Sequence, residues 1–139
     1  MTPERMADIH AAAFTSQRPW AADEFRTLLA TPHIFEITRG SSCFALGRIV
    51  AGEAELLTIA THPKAQRQGL ARNCMDGFIR HVAETDGKRV LLEVDALNDP
   101  AIALYHQFGF AESGRRTGYY RHPDGRRVDA LLMALDCGN

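Results

Sequence analysis

The feature that most constrains the fold is a glycine turn that joins a strand-like segment to a helix. Residues 53–61 are typical of a β-strand, and residues 70–83 carry apolar side chains at helical spacing. Gly69 lies at the junction, where the absence of a Cβ lets the backbone approach a ligand closely. The first amides of a helix have no internal partners, and Arg67 and Arg72 flank the turn. This arrangement suits a bound anion, although an ordinary helix start explains it equally well.

The turn does not match the common nucleotide-binding loops. No Gly-Lys-Ser/Thr sequence follows it, so it is not a Walker loop. It also lacks the GxGxxG spacing of dinucleotide-binding folds. If the turn binds phosphate, a different pyrophosphate-bearing cofactor is therefore indicated.

The rest of the chain predicts one mixed α/β domain. The 139 residues suit a single domain of common size, and Ala51-Gly52-Glu53 is typical of a tight hairpin. Pro100 and Gly109 favour the start and the end of one helix. Helices are predicted at 3–14, 21–30, 70–83 and 98–108, and strands at 33–38, 42–50, 53–61, 90–94, 110–120 and 128–135.

Composition excludes several classes of protein. The formal charge of -1 gives no overall attraction to nucleic acid, and no apolar run approaches the length of a membrane-spanning helix. The N-terminal residues do not resemble a secretory signal. The three cysteines predict no disulfide framework, with Cys43 and Cys74 packed as small hydrophobic residues. We therefore expect a cytoplasmic domain without a metal site, because the six histidines lack ligand partners at metal-binding spacing.

Two segments resemble motifs of the GNAT acetyltransferases. Gln66–Ala71 is similar to the signature Q/R-x-x-G-x-G/A, with Ala71 in place of the more common glycine. Asn98–Phe110, which reads NDPAIALYHQFGF, resembles the N-x-x-A-x-x-L-Y-x-x-x-G-F motif. The similarity extends from Glu53 to the C-terminus. It implies an α/β GNAT N-acetyltransferase domain over residues 1–139, with a mixed, mostly antiparallel sheet flanked by helices. The family's usual first edge strand is expected to be absent.

The resemblance also implies acetyl-CoA as the co-substrate. Residues of the turn would hold the CoA pyrophosphate, the end of the preceding strand would pair with the pantetheine arm, and one residue before the last helix would contact the cofactor. In that order they are Arg67, Gln68, Gly69, Leu70, Ala71 and Arg72; Ile59, Ala60 and Thr61; and Asn98.

Two residues are candidates for proton transfer. From the residues alone, Glu93 suits a solvated or salt-bridged carboxylate as well as it suits a base. Tyr105 also suits a half-buried aromatic residue that serves only for packing. Within the GNAT family the chain resembles the RimI-type group, which acetylates the N-terminal amine of a ribosomal protein. That resemblance implies that Glu93 accepts the proton of the amine and that Tyr105 donates a proton to the CoA sulfur.

The acceptor is the least constrained part of the prediction. The resemblance makes Tyr119 and Tyr120 candidate substrate contacts, with Trp20 on the opposite wall, although each also suits simple packing. The five arginines of the last hairpin form either a solvated face or a surface that attracts acidic peptides or ribosomal RNA. We expect a protein N-terminus as the acceptor and no direct binding to nucleic acid or to membranes. We expect the protein to be a monomer or a weak dimer. A small-molecule amine as acceptor, or a catalytically silent acyl-CoA-binding module, remain alternatives.

Overall fold

The computed structural model describes residues 1–138, which form an open six-stranded sheet with four helices. The α/β class and the order of the predicted elements are confirmed, with boundaries that differ by at most one residue. The helices are α1 (Pro3–Ala13), α2 (Ala22–Leu29), α3 (Leu70–Glu84) and α4 (Asp99–Gln107), and the strands are β1 (Ile34–Arg39), β2 (Cys43–Val50), β3 (Glu53–Thr61), β4 (Arg89–Asp95), β5 (Ala111–Arg121) and β6 (Arg127–Asp136).

Local side-chain chemistry fixes where the helices begin. The Thr2 hydroxyl accepts a hydrogen bond from the Arg5 amide at 3.1 Å, and Pro3 occupies the first turn of α1. The Glu24 carboxylate reaches back to the Ala21 amide at 3.0 Å at the start of α2. These contacts satisfy amides that the helices themselves leave unpaired.

The sheet has the strand order β1-β2-β3-β4-β6-β5, and the only parallel pair among residues 1–138 is β3 with β4. The predicted mostly antiparallel sheet is therefore confirmed. Ala51 (φ 53°) and Gly52 (φ 81°) form the two-residue turn between β2 and β3, which confirms the predicted hairpin. Helix α3 connects β3 to β4 and returns the chain to the same end of the sheet, as a parallel pair requires.

Two apolar cores cover the two faces of the sheet. Helices α3 and α4 cover one face, where Phe78, Val90 and Met133 are buried. Helices α1 and α2 cover the other, around Phe25 and Phe44. Cys43 and Cys74 are both buried and free, as expected of small hydrophobic side chains. Over residues 1–138 the structure has no helix that is long and apolar enough to cross a membrane.

Candidate active site

The site begins where β3 and β4 separate. Their parallel pairing runs from Glu53 with Arg89 to Leu56 with Leu92 and then ends, although β3 continues to Thr61 and β4 to Asp95. On its other edge β3 remains paired with β2 as far as Thr61. Among residues 1–138, no strand pairs with the β4-facing backbone groups of β3 beyond Leu56. These groups are therefore free to form hydrogen bonds with an extended ligand.

A β-bulge lies at the point of separation. Leu46 pairs with Thr58 whereas Gly47 pairs with Leu56, so Leu57 is an extra residue in β3. Before the bulge Leu56 faces the α3 core, and beyond it Ile59 faces the same core. The bulge therefore inverts the facing of the strand and bends it, as extra residues do in other sheets. It helps to separate the end of β3 from β4.

The loop after β3 leads to an uncapped helix N-terminus. Gly69 precedes α3 in the left-handed conformation (φ 75°, ψ 12°), and no side chain of residues 1–138 caps the first amides of this helix. A Cβ at Gly69 would meet no atom within 4 Å, so the space in front of the helix is open. Arg67 is also left-handed (φ 65°), an uncommon conformation for a residue with a side chain. The helix dipole and the free amides make this turn suitable for an anion.

The open space is a cavity of about 100 Å³ that brings together six of the predicted cofactor residues. A wider depression of about 350 Å³ between α3 and α4 adjoins it at Gly69 and Arg72. The Arg72 guanidinium donates a hydrogen bond to Gln107 of α4, which holds its charge beside both spaces. The predicted residues that line the smaller cavity are Thr61, Arg67, Gly69, Leu70, Ala71 and Arg72, with Gln68 in the same turn.

These features fit the predicted co-substrate. The uncapped first amides of α3 match a pyrophosphate, and the free edge of β3 at Ile59 and Thr61 matches the amides of a pantetheine arm. The Asn98 side chain accepts a hydrogen bond from the Ala101 amide at 3.3 Å, so it caps α4. A cofactor contact by Asn98 would have to accompany this capping role.

Glu93 lies on β4 just beyond the point where β3 departs. Its neighbours Leu92 and Val94 are buried in the α3 core, so Glu93 faces the side of the sheet that α1 and α2 cover. The carboxylate is 31% exposed and accepts a hydrogen bond from the Arg116 guanidinium of β5 at 3.0 Å. Glu93 is thus accessible to an acceptor, and a fixed cation balances its charge.

Tyr105 lies on the opposite face of the sheet from Glu93, in the core that α3 and α4 cover. It lies on α4 with its ring packed against Phe110, and only 5% of the residue is exposed. The hydroxyl makes no hydrogen bond to residues 1–138, yet no side-chain oxygen among them is both fully enclosed and unpaired. The oxygen therefore retains contact with solvent. Burial, with a smaller effect of Tyr120, raises the pKa of Tyr105 well above its ordinary value, so the phenol keeps its proton at neutral pH.

Tyr120 is half-buried at the end of β5. Burial and the carboxylate of Glu93, together with Tyr119 and Asp95, raise the pKa of Tyr120 to about 12. Tyr119 packs edge-on against Tyr120, is exposed, and lies under the Arg116 guanidinium. Of the two predicted substrate contacts, Tyr120 is half-buried and Tyr119 is exposed.

The loop between α1 and α2 places Trp20 on the core rather than beside Glu93. The Trp20 ring stacks on His10 at 5.1 Å and lies against Phe25, and its backbone amide donates to His10 Nδ1 at 3.0 Å. The loop residue that reaches β4 is Gln17, whose side-chain amide lies 3.4 Å from the Asp95 carboxylate. A substrate contact by Trp20 remains a prediction.

Sequence reasoning did not assign a role to Asp95 or His122. Asp95 is 5% exposed, and His122 Nε2 lies 2.5 Å from its Oδ2 atom. One signal was available, because Asp95 follows Glu93 by two residues and therefore faces the same side of the strand. The same spacing relates His122 to Tyr120 at the end of β5.

Known proteins share both the sequence and the fold. A ribosomal protein bS18-alanine N-acetyltransferase of Escherichia coli is 37% identical over 135 residues, which cover 92% of this chain and 90% of that protein. The N-alpha-acetyltransferase RimI of Mycobacterium tuberculosis is 32% identical over 144 residues, with 98% and 87% covered.

Solved structures agree with these relatives. The crystal structure of an Escherichia coli ribosomal-protein-S18-alanine N-acetyltransferase has a TM-score of 0.89 and 33% identity, covering 99% of this chain and 88% of that one. Arabidopsis thaliana NAA60 in complex with acetyl-CoA has a TM-score of 0.80 over 96% and 92% of the two chains, and its 20% identity shows a shared fold. Residues 5–110 match the acetyltransferase (GNAT) family, and the chain therefore belongs to this family as an acetyl-CoA-dependent N-acetyltransferase.

Proposed function

We propose that this enzyme acetylates the N-terminal α-amine of a protein, with a ribosomal protein as the acceptor in the cytoplasm. The observation that carries this proposal is the end of the β3–β4 pairing at Leu56 and Leu92, next to Glu93, which faces one side of the sheet while Tyr105 packs on the other. The names of the relatives support the choice of acceptor, because they include bS18-alanine and N-alpha acetyltransferases.

The residues of the chain divide the proton transfers between them. Glu93 accepts the proton that the attacking amine must lose, and a free α-amine with a pKa near 8 needs only a modest base. Tyr105 is protonated at neutral pH and gives its proton to the departing sulfur. The phenol then regains a proton from solvent, which its oxygen can contact. The free backbone of β3 near Ile59 holds the thioester oxygen through an amide. Acetyl-CoA supplies the activated acetyl group.

The cofactor residues act by position and charge. The amides before α3 and the guanidiniums of Arg67 and Arg72 hold the pyrophosphate. The unpaired edge of β3 would orient the pantetheine arm and so hold the acetyl group in a fixed place in the site. Holding two reactants in a fixed geometry lowers the entropic part of the barrier.

The test is mass spectrometry of reactions that contain acetyl-CoA and one amine. The amines are a peptide with a free N-terminal alanine, the same peptide with a blocked N-terminus and a free lysine, and a set of amino acids and polyamines. We expect acetylation of the free α-amine alone. Acetylation of small amines without any peptide product would refute the proposed acceptor and leave the family assignment intact.

Variants test the two residue roles. Glu93→Gln and Tyr105→Phe should each lower kcat by about 100-fold or more, as the loss of a proton-transfer group does. The matched control is Glu55→Gln, because Glu55 also pairs with an arginine, Arg48 at 2.8 Å, on an exposed part of the sheet. The Glu55 variant should retain wild-type activity. Full activity of either Glu93→Gln or Tyr105→Phe would refute that residue's role.

A further inference from the structure

The buried carboxylate of Asp95 joins three separate segments of the chain. Its Oδ2 atom lies 2.5 Å from His122 Nε2 and 3.4 Å from the Gln17 side-chain amide, and its Oδ1 atom accepts a hydrogen bond from the Leu97 amide at 2.8 Å. Asp95 is 5% exposed and the His122 side chain 10%. Burying a carboxylate without partners costs free energy, so losing any of these contacts would destabilise the buried Asp95. The contacts therefore fix the positions of the three segments relative to one another.

The three segments surround the proposed acceptor site. Gln17 belongs to the loop between α1 and α2, which also carries Trp20. His122 follows Tyr120 at the end of β5, and Asp95 follows Glu93 on β4. The turn after His122 is itself closed, since the His122 amide donates to the Arg126 carbonyl at 2.9 Å. Asp95 thus connects the loop on one wall of the groove, the hairpin on the other, and the strand that carries Glu93 between them.

The β6 strand of the hairpin pairs with β4 as far as Asp95 with Ala130, and the Ala96 amide donates to the Asp129 carbonyl at 2.9 Å. Arg116, near the middle of β5, donates a hydrogen bond to Glu93. Arg115 pairs with Asp129 of the neighbouring strand at 3.0 Å. The pairing of β5 with β6 is irregular between Arg116 and Tyr120. Beyond that pairing, His122 supplies the side-chain contact that joins the end of β5 to β4 and, through Asp95, to the loop between α1 and α2.

We propose that Asp95 and His122 are positioning residues that set the separation of the two acceptor walls, and so determine how the amine is presented to Glu93. The pair acts through Tyr120 and the loop of Gln17 and does not itself exchange protons with the acceptor. This inference rests on the proposed acceptor site. It predicts that losing the pair impairs the use of the acceptor, weakens any discrimination between small and bulky first residues, and leaves the use of acetyl-CoA unchanged.

The test is steady-state kinetics of His122→Ala and His122→Gln with alanine-first and leucine-first peptides, varying peptide and acetyl-CoA separately. His122→Ala should raise the peptide KM on the order of tenfold, the effect of losing one hydrogen bond to a charged group, and should narrow the preference for alanine over leucine. The KM for acetyl-CoA should not change. His122→Gln should restore most of the peptide KM, because its amide can still donate to Asp95.

Two controls separate positioning from loss of structure. Arg126→Ala removes an exposed ion pair with Asp124 in the same turn and should leave both KM values unchanged. Gln17→Ala should raise the peptide KM less than His122→Ala, and the two changes together should be less than multiplicative because both act through Asp95. An unchanged peptide KM in His122→Ala, an equal rise in both KM values, or no recovery in His122→Gln would each overturn the inference.

The outcome is distinct from that of the proposed function. If the wild-type enzyme acetylates a small amine and no peptide, the proposed function fails. The same comparison is then made with the KM of that amine, which approaches Glu93 through the same groove. A selective rise in the amine KM in His122→Ala would still support the positioning role, and an unchanged value would still refute it.

Discussion

Protonation of His10 should destabilise the protein in mildly acidic solution. His10 is 4% exposed, and its ring stacks on Phe14 at 4.3 Å and on Trp20 at 5.1 Å. Its Nδ1 atom accepts the hydrogen bond from the Trp20 amide, which the protonated ring could not do. Burial lowers the pKa of His10 from 6.5 to about 4, with Glu24 opposing and Arg18 adding to this effect.

The sign and size of the effect follow from linkage. In the unfolded chain the pKa of His10 is near 6.5, so that state binds a proton between pH 7 and pH 5 while the folded state does not. Stability is therefore complete above the unfolded pKa and is lost as the pH falls toward the folded value of about 4. Between pH 7 and pH 5 this single group lowers the free energy of unfolding by about 2 kcal/mol.

Urea unfolding of the wild type and of His10→Asn at pH 7 and pH 5 measures this contribution. The Asn amide oxygen can still accept the Trp20 amide, whereas it cannot be protonated in this range. The smaller side chain lowers stability equally at both pH values, and the carboxylates affect both proteins alike. The wild type should lose about 2 kcal/mol more than the variant. Equal losses would refute the assignment of a neutral, buried imidazole.

Three further predictions concern Gly47, Gly69 and Tyr120. Gly47→Ala places a Cβ 2.5 Å from the Phe78 ring, so the free energy of unfolding in urea should fall by about 1–3 kcal/mol, whereas Gly138→Ala, with no atom nearer than 3.4 Å, should be neutral. Gly69→Ala forces a side chain into the left-handed region at the proposed pyrophosphate site; calorimetry should show a Kd for CoA about tenfold higher, and an unchanged Kd would contradict that placement. With its pKa raised to about 12, Tyr120 should remain protonated up to about pH 11. The absorbance at 295 nm, which reports ionised tyrosine, should therefore rise equally in wild type and Tyr120→Phe from pH 8 to 11. A larger rise in the wild type would contradict the burial of Tyr120.

Much of the fold was predictable because its signals are local. The turn at Ala51 and Gly52 and the helix start at Gly69 depend on the backbone preferences of a few adjacent residues. The separation of β3 from β4 was not predictable from composition or spacing. It depends on where a pairing between segments more than thirty residues apart ends, and the resemblance to a family implied only that Ile59, Ala60 and Thr61 would be free to bind a ligand.

The acceptor side of the proposed site was even harder to predict from the sequence. Sequence reasoning identified the loop between α1 and α2 as one wall but selected Trp20, whose ring packs on His10, while Gln17 makes the contact to β4. The partners Asp95 and His122 are 27 residues apart. Strand alternation indicates the face on which each lies, but only the assembled sheet shows that the two side chains meet.

The two halves of the proposed active site consequently depend on different levels of structure. The cofactor side is formed mainly by backbone: the free edge of β3 beyond Leu56 and the uncapped amides that follow Gly69. Side chains there can vary, provided that the bulge, the turn and the parallel pairing persist. The acceptor side is formed by side chains that converge from a loop, a strand and a hairpin around Glu93. Since only those side chains can distinguish one amine from another, differences in acceptor between enzymes of this fold should follow residues such as Asp95 and His122 and not the backbone that binds the cofactor.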